Sequence, residues 1–224
     1  MNDDQWSLAN FSGTARLFPL PNLVLFPHVV QPLHIFEPRY RQMTADALAG
    51  DRLLALALLR PGWEEGHDAR PAVHPVTCLG RIVAEQKLPD GRYYLLVRGL
   101  SRARVVEELN DGRPFRSAKV ELLPDGTAPG LAEALAFRKQ LADQVMPRFA
   151  TSPDSRRQLG ELFQGELPLG SLCDILAFAL PLPLECKQEL LELTDVTRRV
   201  RLLLQSLPVA STEERKFPPE FSPN

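Results

Sequence analysis

The sequence predicts an α+β protein in which a β-rich first half is followed by an all-helical second half. Up to Leu123 the apolar residues come in short runs or alternate, and proline and glycine interrupt them repeatedly. From Leu131 to Leu207 they recur at helical spacing instead. Between the two lies "LPDGTAPG", Leu123 to Gly130, which belongs to neither pattern. The expected organisation is an N-terminal arm at residues 1–14, a β-rich subdomain at 15–123, a linker at 124–130, a helical subdomain at 131–208 and a tail at 209–224. That tail is polar and proline-rich, a composition that predicts disorder. With 224 residues, 44% of them hydrophobic, the chain has enough apolar surface for one large core or two small ones.

The segment "RLFPLPNLVLFPHVVQPLHIFEPRYRQM" carries Pro19, Pro21, Pro27, Pro32 and Pro38 through an apolar run. Proline has no backbone N–H, so each one must sit at an edge, a bend or an end. Three short strands are expected, "ARLFPL", "NLVLFP" and "VVQPLHIF", in a small, strongly bent, barrel-like sheet. In "RYRQMTADALAG", Tyr40, Met43, Ala47 and Leu48 have helical spacing and Gly50 offers a stop. "RLLALALL", Arg52 to Leu59, is apolar throughout and predicts a strand buried on both faces. After the loop "RPGWEEGHDARPAVHP" comes the plainest β region, Val76 to Leu109, a hairpin turning at Pro89-Asp90-Gly91. In "PFRSAKVELLP", Ala118, Val120 and Leu122 alternate with Ser117, Lys119 and Glu121 as a strand requires.

Five helices are expected after the linker. The first spans Leu131 to Phe149 and buries Leu131, Ala134, Leu135, Leu141, Ala142, Val145 and Phe149. Ser152-Pro153 reads as a cap for a second that buries Leu159, Leu162 and Phe163. Ser171 opens a third, which Pro181 ends; "LECKQELLEL" is the fourth, and Thr194-Asp195 caps the fifth.

A formal net charge of -2 advertises no basic field for nucleic acid or an anionic membrane. The acidic N-terminus lacks the features of a secretory signal, and proline or charge breaks every apolar run before it could cross a bilayer. Cytoplasmic residence is the expectation. Cys78, Cys173 and Cys186 are far apart and read as free thiols. His28, His34 and Glu37 mix imidazole with carboxylate in no known ligand spacing, and His67 and His74 flank a charged loop. Neither a metal nor a cofactor is expected. The 224 residues contain no GxxxxGK[ST] loop to cradle phosphates.

Three ordered blocks, "LFPLPNLVLFPHVVQPLHIFEPRYRQM", "LGRIVAEQKLPDGRYYLLVRGLSRARVVEE" and "LCDILAFALPLPLECKQELLELTDVTRRVRLLLQSL", resemble the N-terminal substrate-binding domain of the Lon proteases. The block with "HIFEPRY" is more similar still to small bacterial proteins made of that domain alone. The resemblance implies a PUA-like pseudo-β-barrel with one short helix, followed by a helical bundle. It also implies a non-enzymatic module that binds unfolded or client polypeptides, or a protease or adaptor partner. "LPDGTAPG" faintly echoes the surroundings of the Lon catalytic serine, yet it has neither the serine nor the partner lysine that such a mechanism requires. No catalytic residue is assigned.

For polypeptide binding, Trp63 is the first candidate, because it stands between glycines and acids outside any periodic apolar face. Phe217 and Phe221, set among prolines in the tail, are further candidate anchors. The alternative is RNA binding, since barrels of the implied kind are similar in form to PUA-type RNA-binding domains. It would use Arg81, Arg92, Arg98, Arg102 and Arg104; Arg198, Arg199 and Arg201 are a separate concentration of basic residues in the last helix. Glu85, Asp90, Glu107 and Glu108 are interleaved with the first group and weaken its field.

Overall fold

The computed structural model describes Leu8 and residues 11–64, 70–149 and 153–207. Phe217, Phe221 and the Ser152 cap lie outside the described residues. The chain divides into two compact units, one ending at Leu123 and the next beginning at Pro124.

In the first unit, β1 (Thr14–Leu20), β2 (Val30–Ile35), β3 (Leu53–Leu58), β4 (Val76–Lys87), β5 (Tyr93–Leu109) and β6 (Arg116–Leu123) form one sheet in the order β2-β5-β4-β3-β1-β6. β5 also pairs with β6, so the five strands from β5 to β6 close on themselves. β2 is added along the first half of β5, in register from Ile35↔Tyr93 to Val30↔Arg98. Among the described strands only β1 and β3 run parallel. Register shifts near Gly80 and Val83 in β4 let this long hairpin bend.

The prolines occupy positions that need no ladder N–H. Pro19 lies beyond the last β1–β6 partner pair, Leu17↔Arg116, and Pro32 lies in β2, which pairs with β5 alone among the described strands. Pro21 and Pro27 are in bends and turns, and Pro38 starts the helix α1 (Pro38–Ala49). This helix buries Tyr40, Met43, Thr44 and Ala47. Arg16 of β1 fastens it, with Nε 2.5 Å from Asp46 and Nη1 2.6 Å from Asp51. β3 is buried along its whole length, as its unbroken apolar run predicts.

One expected strand is absent. Asn22–Pro27 joins no ladder, although Val24, Leu25 and Phe26 are buried. The segment crosses β4 and β5 where Gly80 and Gly99 are partners: His28 N donates to Gly99 O at 2.9 Å, and Gly99 N donates to Val29 O at 2.9 Å. A β-carbon at Gly99 would overlap the Phe26 carbonyl, and one at Gly80 would lie 3.1 Å from the Leu25 side chain. The paired glycines make a notch that the apolar loop fills. An apolar run signals burial, and only backbone partners make burial a strand.

The second unit contains α2 (Leu131–Val145), a 3-10 turn (Met146–Phe149), α3 (Pro153–Gln164), α4 (Leu169–Ala179), α5 (Leu184–Glu192) and α6 (Val196–Ser206). The expected buried face of α2 needs correction. Phe137, Leu141 and Val145 are its buried residues, whereas Leu131 is 79% exposed and Leu135 57%. The first turns of α2 are therefore exposed, while Leu141 and Val145 are buried as expected and Phe137 joins them. α4 begins two residues before Ser171, at Leu169. Asp195 caps α6 as expected, accepting from Arg198 N at 2.8 Å.

Candidate functional site

Antiparallel hairpins with one face in the core ordinarily alternate apolar and polar residues. In the first half of β5, "YYLLVR", they do not. Tyr93, Leu95 and Val97 are buried, yet the outward positions between them hold Tyr94, 40% exposed, and Leu96, 39% exposed. β2 extends this outer face on one side and β4 on the other. Pro32, Leu96 and Ala84 form one cross-strand row, and His34, Tyr94 and Gln86 the next. The bulge between Ile82 and Ala84 turns Val83 outward, 49% exposed, and Val30 and Phe36 stand exposed at the two ends of β2.

The face is ordered by ring contacts. His34 stacks on Tyr94 with centroids 4.8 Å apart and planes at 26°, and Phe36 lies 5.8 Å from His34. Beside it, at the start of α1, Arg39 covers the Tyr40 ring at 4.6 Å and pairs with Glu37 at 2.8 Å. Burial pushes the Tyr40 phenol above its usual range, so it stays neutral. The hairpin tip that bounds the face is held by Asp90, which accepts from Arg92 N at 3.0 Å and Nε at 2.7 Å. The Arg92 backbone N–H holds the Asp90 carboxyl below the usual carboxylate range.

The residues singled out in the sequence do not gather at one place. Trp63 is 37% exposed in the turn after β3. The outer-face rows lie toward the other end of the β3–β4 ladder, where Arg81 opposes Leu53. Among the five arginines of the RNA alternative, Arg81 and Arg98 are direct cross-strand partners. Arg92 is engaged with Asp90 at the hairpin tip, Arg102 is buried at 2% exposure, and Arg104 lies at the far end of β4, opposite Val76. Glu85 pairs with Arg52, Glu108 with Arg116, and Glu107 with Lys119 at 2.9 Å. His28 sits in an exposed turn, His34 is stacked and Glu37 is ion-paired. Among the described residues no three His, Cys, Asp or Glu side chains gather as metal ligands. Among the same residues no helix is long and apolar enough to cross a membrane.

Two features of the second unit escaped the sequence reading. Arg199, grouped there with surface arginines, is fully buried. Its guanidinium donates to Asp125 at 2.5 Å, Asp174 at 3.2 Å and, through Nε, the Leu193 carbonyl at 2.9 Å. The supposed linker is thereby strapped down, with Gly126 N donating to Thr194 O at 2.9 Å and Val196 N to Thr127 O at 3.3 Å. Asp125, Gly126 and Thr127 of the "LPDGTAPG" stretch make this strap. The unit also has an apolar recess of about 140 Å³ lined by Val145, Phe149, Leu159, Leu162, Leu176 and Leu180. It is large enough for a single ring or branched side chain. The outer face of β2, β5 and β4 runs across three strands.

Comparison with known proteins agrees with this fold. Residues 14–208 match the family model of the ATP-dependent protease La (LON) substrate-binding domain. Lon protease 2 of Myxococcus xanthus is 30% identical over 194 residues, which cover 85% of this chain and 23% of that protein. Lon protease 2 of Herpetosiphon aurantiacus is 30% identical over 91% of the chain and 25% of its own length. The chain thus spans about a quarter of the length of these relatives. Among solved structures, a Lon N-terminal domain protein from Xanthomonas campestris superposes with a TM-score of 0.64 at 25% identity, over 87% of this chain and 99% of that one. The N-terminal domain of the Mycobacterium avium complex Lon protease gives 0.65 at 20% identity, over 87% and 97%. The chain belongs to the Lon substrate-binding domain family.

Proposed function

We propose that this chain is a non-enzymatic polypeptide-binding module, which engages exposed apolar segments of unfolded or client proteins through the outer face of β2, β5 and β4. The observation that supports this most is the double-sided apolar character of Tyr93–Val97. The fold needs only the buried side, and a contiguous apolar patch left in water is a common mark of an interaction surface. The family's description as a substrate-binding domain points the same way. Trp63 belongs to the proposal as a separate, weaker anchor, and Phe217 and Phe221 extend it to the tail. The closed ring of strands and the helices that follow support the finer reading as a pseudo-barrel at 15–123 and a bundle at 131–208. In the cytoplasm such a module would hold clients or hand them to a protease.

The test is a titration of a fluorescent, permanently unfolded polypeptide, followed by polarization. Saturable binding that weakens in Tyr94→Ala and resists moderate salt supports the proposal. Binding that tracks salt steeply and is displaced by RNA but not by unfolded protein would replace it with the nucleic-acid reading.

A further inference from the structure

We propose that the apolar recess of the helical unit is the docking site of the chain's own C-terminal tail, with the Phe217 ring as its occupant. This goes beyond the polypeptide-binding reading and does not rest on it. The recess holds about 140 Å³ between Val145 of α2, Leu159 and Leu162 of α3, and Ile175, Leu176 and Ala179 of α4. Ser155 and Gln158 are the polar residues on its border. An apolar cavity of this size and lining takes a benzene ring. Close-packed interiors seldom leave such space, because its lining forfeits dispersion contacts that a ring would restore.

Residues 208–224 lie outside the described ones, and Phe217 and Phe221 are the aromatic residues among them. Two contacts fix the end of the unit from which this segment leaves. A β-carbon at Gly170 would lie 3.3 Å from the Val196 side chain, and Arg199 Nη1 donates to Asp174 at 3.2 Å. The partner numbers rise together, so α6 runs in the direction of α4, and its last turn lies toward the end of α4 that lines the recess. Gly170 and Asp174 occupy a different face of α4 from Ile175 and Ala179, so the tail must round this helix, a path of about 20–24 Å, or two helix diameters. Phe217 stands ten residues beyond Leu207, an extended reach of about 33–36 Å. It is the first ring that the tail can deliver, and Pro218 and Pro219 behind it have a fixed φ, so less freedom is lost on docking. One ring is a small interface for a separate partner, whereas a tether supplies it at an effective concentration in the millimolar range. Held there, Phe217 meets a partner only on release.

The sequence has three isoleucines, Ile35, Ile82 and Ile175, and only the last lines the recess. The experiment is a methyl NMR spectrum of the full chain labelled at isoleucine, in which Ile175→Val assigns the reporting signal. Phe217→Ala is expected to shift the Ile175 methyl and to leave Ile35 and Ile82 in place. A peptide of residues 212–222, acetylated and amidated, should return Ile175 of the Phe217→Ala protein toward its parental position; the same peptide carrying Phe217→Ala should not. An Ile175 signal unchanged in Phe217→Ala overturns the inference, and the polypeptide-binding reading, which is tested at Tyr94, is left standing. A shift in Phe221→Ala without one in Phe217→Ala overturns it by giving the recess to the other ring. A parental Ile175 signal that moves on dilution would give the ring to a second copy of the chain and likewise overturn it. So would an Ile175 signal that responds to an unfolded polypeptide but not to Phe217→Ala, since the recess would then be a client site.

Discussion

Tyr93–Val97 presents two faces of nearly equal apolar character with different surroundings. Tyr93, Leu95 and Val97 close the core, and the chain continues into Gly99, over which the Phe26 carbonyl packs. Tyr94 and Leu96, one residue out of phase, meet solvent together with Val30, Phe36 and Val83. The fold explains the first set completely. The second set is not needed to close the core, and separating stability from binding along one strand is the most direct way to learn what that second set does.

The largest effect is expected at the end of the inward face. Gly99→Ala drives a methyl into the Phe26 carbonyl and should destabilise by about 3 kcal/mol or more, seen as a large drop in thermal midpoint or as loss of soluble protein. A midpoint within a few degrees of the parent would show that the loop at Val24–Val29 yields, and the rigid inward face would be lost from the account. Leu95→Ala removes a side chain only 2% exposed and should cost about 2–4 kcal/mol by chemical denaturation. Its outward neighbour gives the contrast: Leu96→Ala should change stability by no more than about 0.5 kcal/mol. Equal losses at the two positions would mean that the outer face is packed in solution.

Smaller effects sharpen the picture. Trp63→Ala is expected to leave the midpoint nearly unchanged and to weaken polypeptide affinity less than Tyr94→Ala does, because Trp63 stands apart from the outer-face rows. The smallest effect concerns the hairpin tip. The Asp90 carboxyl is depressed in the folded state, so its contribution is present above the unfolded carboxylate range of about 3.9 and fades as pH falls through the lower folded value. The midpoint difference between the parent and Asp90→Asn should therefore be present at neutral pH and shrink in acid; a difference independent of pH would assign the effect to the hydrogen-bonding shape of the side chain.

Local chemistry made most of the elements legible. The prolines mark edges and bends, Pro38 starts α1, Pro89-Asp90-Gly91 turns the hairpin and Asp195 caps α6, because each of these residues acts through its own backbone or its immediate neighbours. What depended on distant partners was not legible. Asn22–Pro27 has the apolarity of a strand, but the Gly80–Gly99 notch that receives it lies far along the chain. The buried stripe of α2 was legible at Leu141 and Val145 but not in the first turns, where Leu131 and Leu135 are exposed. Arg199 reads as one more surface arginine until Asp125 and Asp174 are brought to it from other segments. For the candidate face a signal was present in the sequence: "YYLLVR" lacks the polar alternation that a half-buried hairpin requires.

The central claim is that the outer face of β5 binds polypeptide and does not hold the fold together. Leu96→Asp tests it most directly, with affinity for a permanently unfolded polypeptide and thermal midpoint measured on the same preparation. The account predicts an affinity at least about tenfold weaker, with a midpoint within a few degrees of the parent. Unchanged affinity in a folded Leu96→Asp protein would contradict it.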